Sequence, residues 1–340
     1  MAGLDEKGFR AFVAAGKRVK PDLDEAEIRS NLGIVAEFER FLSGRDSVKM
    51  FQTASEDDVE AFVEELGLSN RANYENLVAL VRYARFTNTK AVEARVIEML
   101  DGAEVMDALA VILKSRTGQE GCEKVFAGIE LPSVETSHAE WPVVTKAVME
   151  RLEAQLDEGA WKGALLAGPH TAPDEYYLPE RKKFEESKDI DEYLSRRADE
   201  FAALLQQCKD EDVLFFNQEI DEDVLAFVRG NKEIGGGVRD GDTIFETKIP
   251  FMAREYIRET DPVTRRYLYC HCPWVRESIR SGLEISPNFC YCSAAYHKKP
   301  WDVIFGKPVE AEVVSSVLRG DLVCRFAIKI PEGYREKIPP

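Results

Sequence analysis

The chain has 340 residues, 44% of them apolar and 10% aromatic, which suffices to bury a sizeable core, so we expect two folded domains. Its formal net charge of -17 repels nucleic-acid phosphates and anionic lipid heads, so neither a nucleic acid nor a membrane is expected as a partner. No apolar run reaches the roughly 20 residues that span a bilayer, and residues 1–6 lack the pattern of a signal peptide, so a cytoplasmic location is expected.

Apolar residues recur with helical spacing from residue 4 to about 128, which predicts an all-helical region. Thr53 or Ser55 is expected to cap one helix, because an acidic first turn follows. Ser69 is predicted to open the next helix. Further helices are predicted at 91–100 and 105–115.

A proline and small polar residues at 131–137 separate two helical patterns and predict an inter-domain linker. The predicted domains are therefore a helical bundle, residues 1–130, and a cysteine-rich α+β domain, residues 131–340. In the second domain, helices are predicted at 141–156 and 190–208, strands at 242–249, 266–272, 310–318 and 322–330, and a short hairpin turn at 319–321. Because the last two strands alternate and are joined by this turn, the sheet is predicted to be antiparallel.

Cysteines concentrate near the C-terminus, where Cys270 and Cys272 are two residues apart and Cys290 and Cys292 repeat the spacing. Two such pairs are typical of a zinc site. On an extended strand, however, such neighbours lie about 6.6 Å apart, whereas thiolates bound to one zinc at about 2.3 Å are about 3.8 Å apart. Zinc would require a bend in at least one pair, so the predicted cofactor is none or zinc.

Cys272 and Cys290 are the candidate nucleophiles of this segment. Pro273 should end the predicted strand and begin a helix, which places Cys272 at the helix start. A thiol at a helix N-terminus has a stabilised thiolate; a capped, buried cysteine is the alternative. His271 and His297 are candidate bases, although surface histidines would have the same pattern. Cys324 is predicted to point inward from its strand, as a small buried side chain or a substrate contact.

Four further side chains complete the predicted site. Asp321 lies in the predicted turn, where an aspartate accepts backbone amides or serves as a base at the site mouth. His170 occupies a proline-rich loop of the kind that lines a pocket, and Trp274 and Tyr296 are candidate substrate contacts close to the cysteines. The glycine-rich segment 235–242 lacks the lysine of a phosphate-binding loop and predicts a hairpin or lid.

The sequence Cys272-Pro273, then Cys290, then Gly320-Asp321 with Cys324 resembles the "CP … C … GD-x-x-C-x-F" signature of the L-2-amino-thiazoline-4-carboxylate hydrolase-like proteins. These proteins are similar to 4-vinyl reductase-type small-molecule-binding domains. The resemblance covers residues 140–335 and is carried by 266–330. It implies an α+β ligand-binding domain that opens a cyclic C=N/C–S substrate with water, and it points to Cys272, Cys290, Asp321 and Cys324.

The N-terminal region resembles, at 54–59, the start of the helical core-binding domain of tyrosine recombinases, but the acidity argues against DNA binding. The leading hypothesis is a cytoplasmic hydrolase acting on a small molecule in the C-terminal domain. The helical domain would cover the pocket or form a homo-oligomer. A ligand- or metal-binding sensor with structural cysteines, and a redox-responsive protein using its C-x-C pairs, are the alternatives.

Overall fold

The chain begins with helices, and its strands come near the C-terminal end; the computed structural model describes residues 4–16, 23–46 and 48–337. The α-helices are α1 Glu6–Ala14, α2 Glu25–Arg45, α3 Glu56–Leu68, α4 Tyr74–Thr87, α5 Lys90–Leu100, α6 Val105–Phe126, α7 Trp141–Gln155, α8 Glu158–Leu165, α9 Asp174–Glu186, α10 Ile190–Asp210, α11 Glu222–Arg229, α12 Ala253–Arg258, α13 Pro262–Tyr269, α14 Pro273–Ser281 and α15 Tyr291–Phe305. The strands are β1 Val238–Asp240, β2 Thr243–Thr247, β3 Ala311–Ser315 and β4 Arg325–Lys329. This confirms the predicted α+β class. Among the described helices, none is long and apolar enough to cross a membrane.

Contacts divide the chain into two compact units, the first made of Met1–Ala103, Pro132–Ser137 and Glu211–Glu219. Its helices α1 to α5 bury an aromatic core around Phe38, Phe62 and Tyr83. Ser55 caps α3 as predicted, with Asp58 completing a capping box. The prediction that Ser69 opens the next helix is wrong, because Ser69 ends α3 and the Asn73 side chain caps α4.

The second unit contains Glu104–Leu131, His138–Asp210 and Ile220–Pro340. By these contacts α6 belongs with the C-terminal elements, whereas it was predicted to belong to the N-terminal bundle. Helix α6 also extends beyond the predicted residue 115, across a kink at Gly118, whose φ of 76° suits a glycine.

The sheet of the second unit has the order β1-β2-β4-β3, and the neighbouring strands are antiparallel. In the β2–β4 pair, Ile244 lies opposite Ile328 and Glu246 lies opposite Phe326. The face that carries Ile244 packs against α9, α10 and α15. The buried members of this core are Phe184, Ile190, Tyr193, Leu194, Ile244, Trp301, Ile304, Phe305, Val309, Ala311, Ile328 and Ile330.

The strand predicted at 266–272 is wrong, because helix α13 covers most of it. Asp261 accepts a hydrogen bond from the Thr264 amide and Pro262 occupies the first turn, so local capping selects a helix despite the aromatic residues. The predicted strand at 322–330 is shortened to β4, which leaves Cys324 just outside it. The predicted short turn at 319–321 is likewise part of a longer β3–β4 connection that contains a 3-10 helix, Val317–Arg319.

Candidate functional site

Five cysteines that are dispersed over 55 residues of sequence come close enough together in the fold to influence one another electrostatically. We call this group the thiol cluster; its members are Cys270, Cys272, Cys290, Cys292 and Cys324. All are free thiols. Cys270 and Cys292 are buried, whereas the other three are half-buried.

The cluster is assembled from element ends rather than from strand faces. Cys270 ends α13, Cys272 is the N-cap of α14, and Cys290 is the N-cap of α15. Cys292 follows in the first turn of α15, and Cys324 immediately precedes β4. The position predicted for Cys272, at a helix N-terminus beside Pro273, is confirmed, but no predicted C-x-C pair lies along a strand.

Burial makes these thiols weaker acids than free cysteine. It raises the pKa of Cys272 well above the ordinary value and that of Cys290 to about 11. Burial also raises the pKa values of Cys270, Cys292 and Cys324. The thiols are therefore protonated at neutral pH, and the thiolate expected at Cys272 is not the resting form.

The predicted zinc site does not form among the described residues, where no group of three or more His, Cys, Asp or Glu side chains is placed to hold a metal ion. Cys270 and Cys272 belong to the end of one helix and the start of the next, and the Cys270 sulfur lies 3.9 Å from the Cys272 carbonyl oxygen. The Cys292 sulfur instead contacts His170.

Lys248, which directly follows β2, places a positive charge within the cluster. Burial has the largest effect on the pKa values of three histidines and four thiols around it, and the charge of Lys248 adds to the lowering at the histidines and opposes the raising at the thiols: His170, His271, His297, Cys270, Cys290, Cys292 and Cys324. The Lys248 ammonium lies 3.5 Å from the Ser293 hydroxyl and 5.7 Å from the centre of the Tyr296 ring. Among the described residues no carboxylate pairs with it. Sequence reasoning missed Lys248, which no local motif distinguishes from other lysines.

Beside the cluster, a buried carboxylate holds a histidine. Glu246 on β2 accepts a hydrogen bond from His297 Nδ1 at 2.7 Å through one oxygen. Its other oxygen accepts from Arg197 at 2.9 Å and from the Trp301 indole at 2.8 Å. Arg197 also donates to the Gly236 carbonyl at 2.8 Å. Glu246 is 6% exposed, so these donors replace the water that a carboxylate would otherwise bind.

The charges in this group follow from opposing effects on each pKa. Burial would raise the pKa of Glu246, but the positive charge of Arg197 and the hydrogen bonds outweigh it and lower that pKa to about 2. Burial lowers the pKa of His297, although Glu246 opposes the shift. His297 is therefore neutral beside an ionised Glu246, so its Nδ1–H donates and Nε2 keeps its lone pair. Nε2 is buried and has no hydrogen-bond partner in the described structure.

The sequence did contain a sign of this pair. Strand alternation places Glu246 on the same face as the core residue Ile244, and both are buried. An acidic residue on an apolar strand face requires a buried partner. His297 was predicted as a candidate base, whereas its partner Glu246 was missed.

A second side-chain pair joins a cysteine and a histidine for which different roles were predicted. The Cys292 sulfur lies 3.2 Å from His170 Nδ1, although Cys292 was predicted as a zinc ligand and His170 as a pocket residue. The His170 ring stacks on Tyr296, with ring centres 5.7 Å apart and an interplanar angle of 11°. Burial lowers the pKa of His170 to about 4, so the neutral thiol donates to a neutral imidazole.

Three other predicted site residues have structural contacts. His271 Nε2 donates to the Ile249 carbonyl at 2.6 Å, and burial lowers the pKa of His271 well below its ordinary value. Asp321 is exposed and accepts the Ser316 backbone amide at 3.0 Å, which organises the turn before β4. Trp274 is fully buried against Trp141, with ring centres 4.5 Å apart.

A surface depression of about 410 Å³ lies elsewhere in the second unit, between the end of α9 and α10. It is lined mainly by charged side chains, among them Glu186, Glu192, Arg196 and Glu200. It contains none of the predicted site residues.

Replacing His170 with asparagine should reduce the loss of stability in acid. Because the folded-state pKa of His170 is about 4 and the unfolded value is near 6.5, its contribution is present above pH 6.5 and lost as the pH falls towards 4. The His170 side chain is partly exposed, which reduces the effect. We therefore expect wild type to lose about 2 kcal/mol more unfolding free energy in acid than the variant does. Denaturant unfolding at pH 7.5 and 4.5 measures it, and equal acid losses in variant and wild type would contradict the assignment.

No family model, curated protein or solved structure matches this chain. The resemblance to the thiazoline carboxylate hydrolase-like proteins therefore stays a prediction from the residues that carry it.

Proposed function

We propose that this chain is an enzyme that hydrolyses a small organic molecule at the thiol cluster, with His297 as the general base. The observation that carries the proposal is the orientation of His297. Its Nδ1 is held by the ionised Glu246, while Nε2 is buried and has no hydrogen-bond partner among the residues that the structure describes. A buried lone pair that no protein group satisfies is suited to a water molecule or substrate proton.

In this proposal His297 Nε2 removes a proton from the water that enters the product. The imidazolium that forms is stabilised by Glu246, as an acidic residue stabilises histidine in hydrolytic triads. Arg197 and Trp301 keep the carboxylate ionised and in place. The low pKa of His297 keeps it in the neutral, basic form at neutral pH.

Lys248 supplies the second part of the proposal, which is recognition of an anionic group. Its ammonium has no carboxylate partner in the part of the chain that the structure describes, and the imidazoles that surround it are neutral. The charge of Glu246 is already balanced by Arg197. A substrate carboxylate would therefore find an ammonium group to bind, which agrees with the thiazoline carboxylate that the sequence resemblance implies.

Incubation of the purified chain with 2-amino-thiazoline-4-carboxylate tests the reaction class directly. The expected product contains one added water and one new thiol, which liquid chromatography with mass detection and a thiol reagent both report. Absence of turnover with this compound and with ring-matched cyclic amidines would overturn the proposed function.

Replacing Lys248 with methionine should raise KM about 10- to 100-fold, because a charge-assisted hydrogen bond contributes about 1.5–3 kcal/mol. The change should be smaller for a ring analogue without the carboxylate. Lys307→Met is the control, since Lys307 is exposed. Equal losses with charged and uncharged analogues would show that Lys248 does not bind the anion.

A binding module without turnover is the second candidate, favoured by the raised pKa values of the cluster thiols, which suit structural cysteines. It predicts saturable binding of the same compound, observed by calorimetry, with no product. The catalytic proposal requires product to form and His297 to be needed for it.

A further inference from the structure

We infer that Cys292 is the nucleophile of the reaction and that His170 is the base that takes its proton. This inference rests on the proposed function and names a residue pair outside the signature that the sequence resembles. The contact of 3.2 Å between the Cys292 sulfur and His170 Nδ1 is within the range of nucleophile–base pairs.

Burial raises the pKa of Cys292, but two features of its surroundings stabilise negative charge on the sulfur during attack. It lies in the first turn of the 15-residue helix α15, whose N-terminus carries a partial positive charge. The positive charge of Lys248 opposes the burial and the neighbouring Cys290 and Glu104, all of which raise the pKa of this thiol. Tyr296, stacked on His170, holds the plane of the imidazole ring.

Cys270 provides a comparison within the same cluster. The two thiols are similarly buried, with Cys270 5% and Cys292 3% exposed. The Cys270 sulfur faces the Cys272 carbonyl oxygen at 3.9 Å, an acceptor that cannot take a proton at neutral pH. Cys292 therefore has a proton acceptor beside it and lies at a helix N-terminus, whereas Cys270 has no such acceptor among the described residues and lies at the C-terminal end of α13.

Both partners are neutral at rest, so the proton moves only as the new bond forms. The Cys292 sulfur attacks the C=N carbon of a cyclic C=N/C–S substrate, and its proton passes to His170. The ring C–S bond breaks, its electron pair remains on the substrate sulfur, and that sulfur takes the proton from His170. The product of this step is a Cys292 thioimidate and a free substrate thiol.

Water completes the reaction at the same carbon. His297 Nε2 takes one proton from the water, the bond to Cys292 breaks, and the electron pair returns to the cysteine sulfur. This sulfur regains a proton from solvent by way of His170, while His297 releases its proton to solvent. The sum of both steps is addition of one water molecule, with no oxidant or reductant.

Alkylation without substrate tests the pair independently of turnover. Iodoacetamide labelling, followed by peptide mass spectrometry, should modify Cys292 at least tenfold faster than Cys270. His170→Ala should slow labelling of Cys292 at least tenfold and leave Cys270 unchanged, which also verifies that the variant is folded. Equal rates at the two cysteines, or no effect of His170→Ala, would overturn the inference.

Trapping with 2-amino-thiazoline-4-carboxylate tests the covalent step. In His297→Asn, an adduct of the ring-opened substrate should accumulate on Cys292; it should be absent when Cys292→Ala is added and persist with the control Cys122→Ala. If wild type turns the compound over and Cys292→Ala does so equally fast, Cys292 is not the nucleophile. The proposed hydrolytic function would still hold in that case. Absence of any turnover rejects the hydrolytic function, and the nucleophile assignment with it.

Discussion

Replacing His297 with asparagine should lower kcat by a factor of about 10² to 10⁴, the usual contribution of a positioned general base. Asparagine cannot accept a proton, although its amide can still donate to Glu246 and fill much of the same volume. The measurement is steady-state hydrolysis, with circular dichroism to confirm the fold. His138→Asn is the matched control, because His138 packs against Trp141 and is not part of the thiol cluster.

The pH profile distinguishes a base from a structural histidine. Because burial lowers the pKa of His297, wild-type activity should persist below pH 6.5 and be lost as the pH falls through that lowered value. His297→Asn should lack the acid limb that belongs to His297, and a loss of activity near pH 4 belongs instead to His170. A kcat within threefold of wild type, with the acid limb retained, would rule out His297 as the base.

Replacing Arg197 with methionine should lower the free energy of unfolding by about 3–5 kcal/mol, because it leaves Glu246 buried without a compensating charge. The double variant Arg197→Met with Glu246→Gln should recover most of this loss. All four tryptophans belong to the second unit, so their fluorescence during urea unfolding reports on the unit that contains the pair.

Arg196→Met is the matched control for this prediction. Arg196 pairs with Glu200 on the same helix, but their side chains are 42% and 41% exposed. The loss of unfolding free energy should therefore stay below about 1 kcal/mol. In wild type, the stability contributed by Glu246 is present above its ordinary pKa and is lost as the pH falls towards about 2. Equal losses in the single and double variants would show that the unpaired carboxylate is not the cause.

Local patterns predicted much of the fold because helix ends and strand alternation depend on neighbouring residues. Ser55 was recognised as a cap from the acidic turn after it, and the helix predicted at 141–156 closely matches α7. The strand at 266–272 failed where two local signals competed. Aromatic residues favoured a strand, but the Asp261 cap and Pro262 favoured a helix.

The chemistry of the cluster depended on contacts that local patterns do not carry. Cys272 was predicted as a thiolate because a helix N-terminus stabilises one, but the extent of burial decides the pKa and has the opposite effect. Lys248 was missed because its importance depends on its ammonium having no carboxylate partner among the described residues, which only the packed structure shows.

By itself, the sequence determined the α+β class, the antiparallel sheet, the concentration of thiols near the C-terminus and the position of Cys272 at a helix start. Only the tertiary structure decided which side chains meet: His170 with Cys292, separated by 122 residues, and Glu246 with His297, separated by 51. The reason is that backbone propensities act over a few residues, whereas side-chain pairs and buried charges arise when β2, α15 and the loop before α9 pack together.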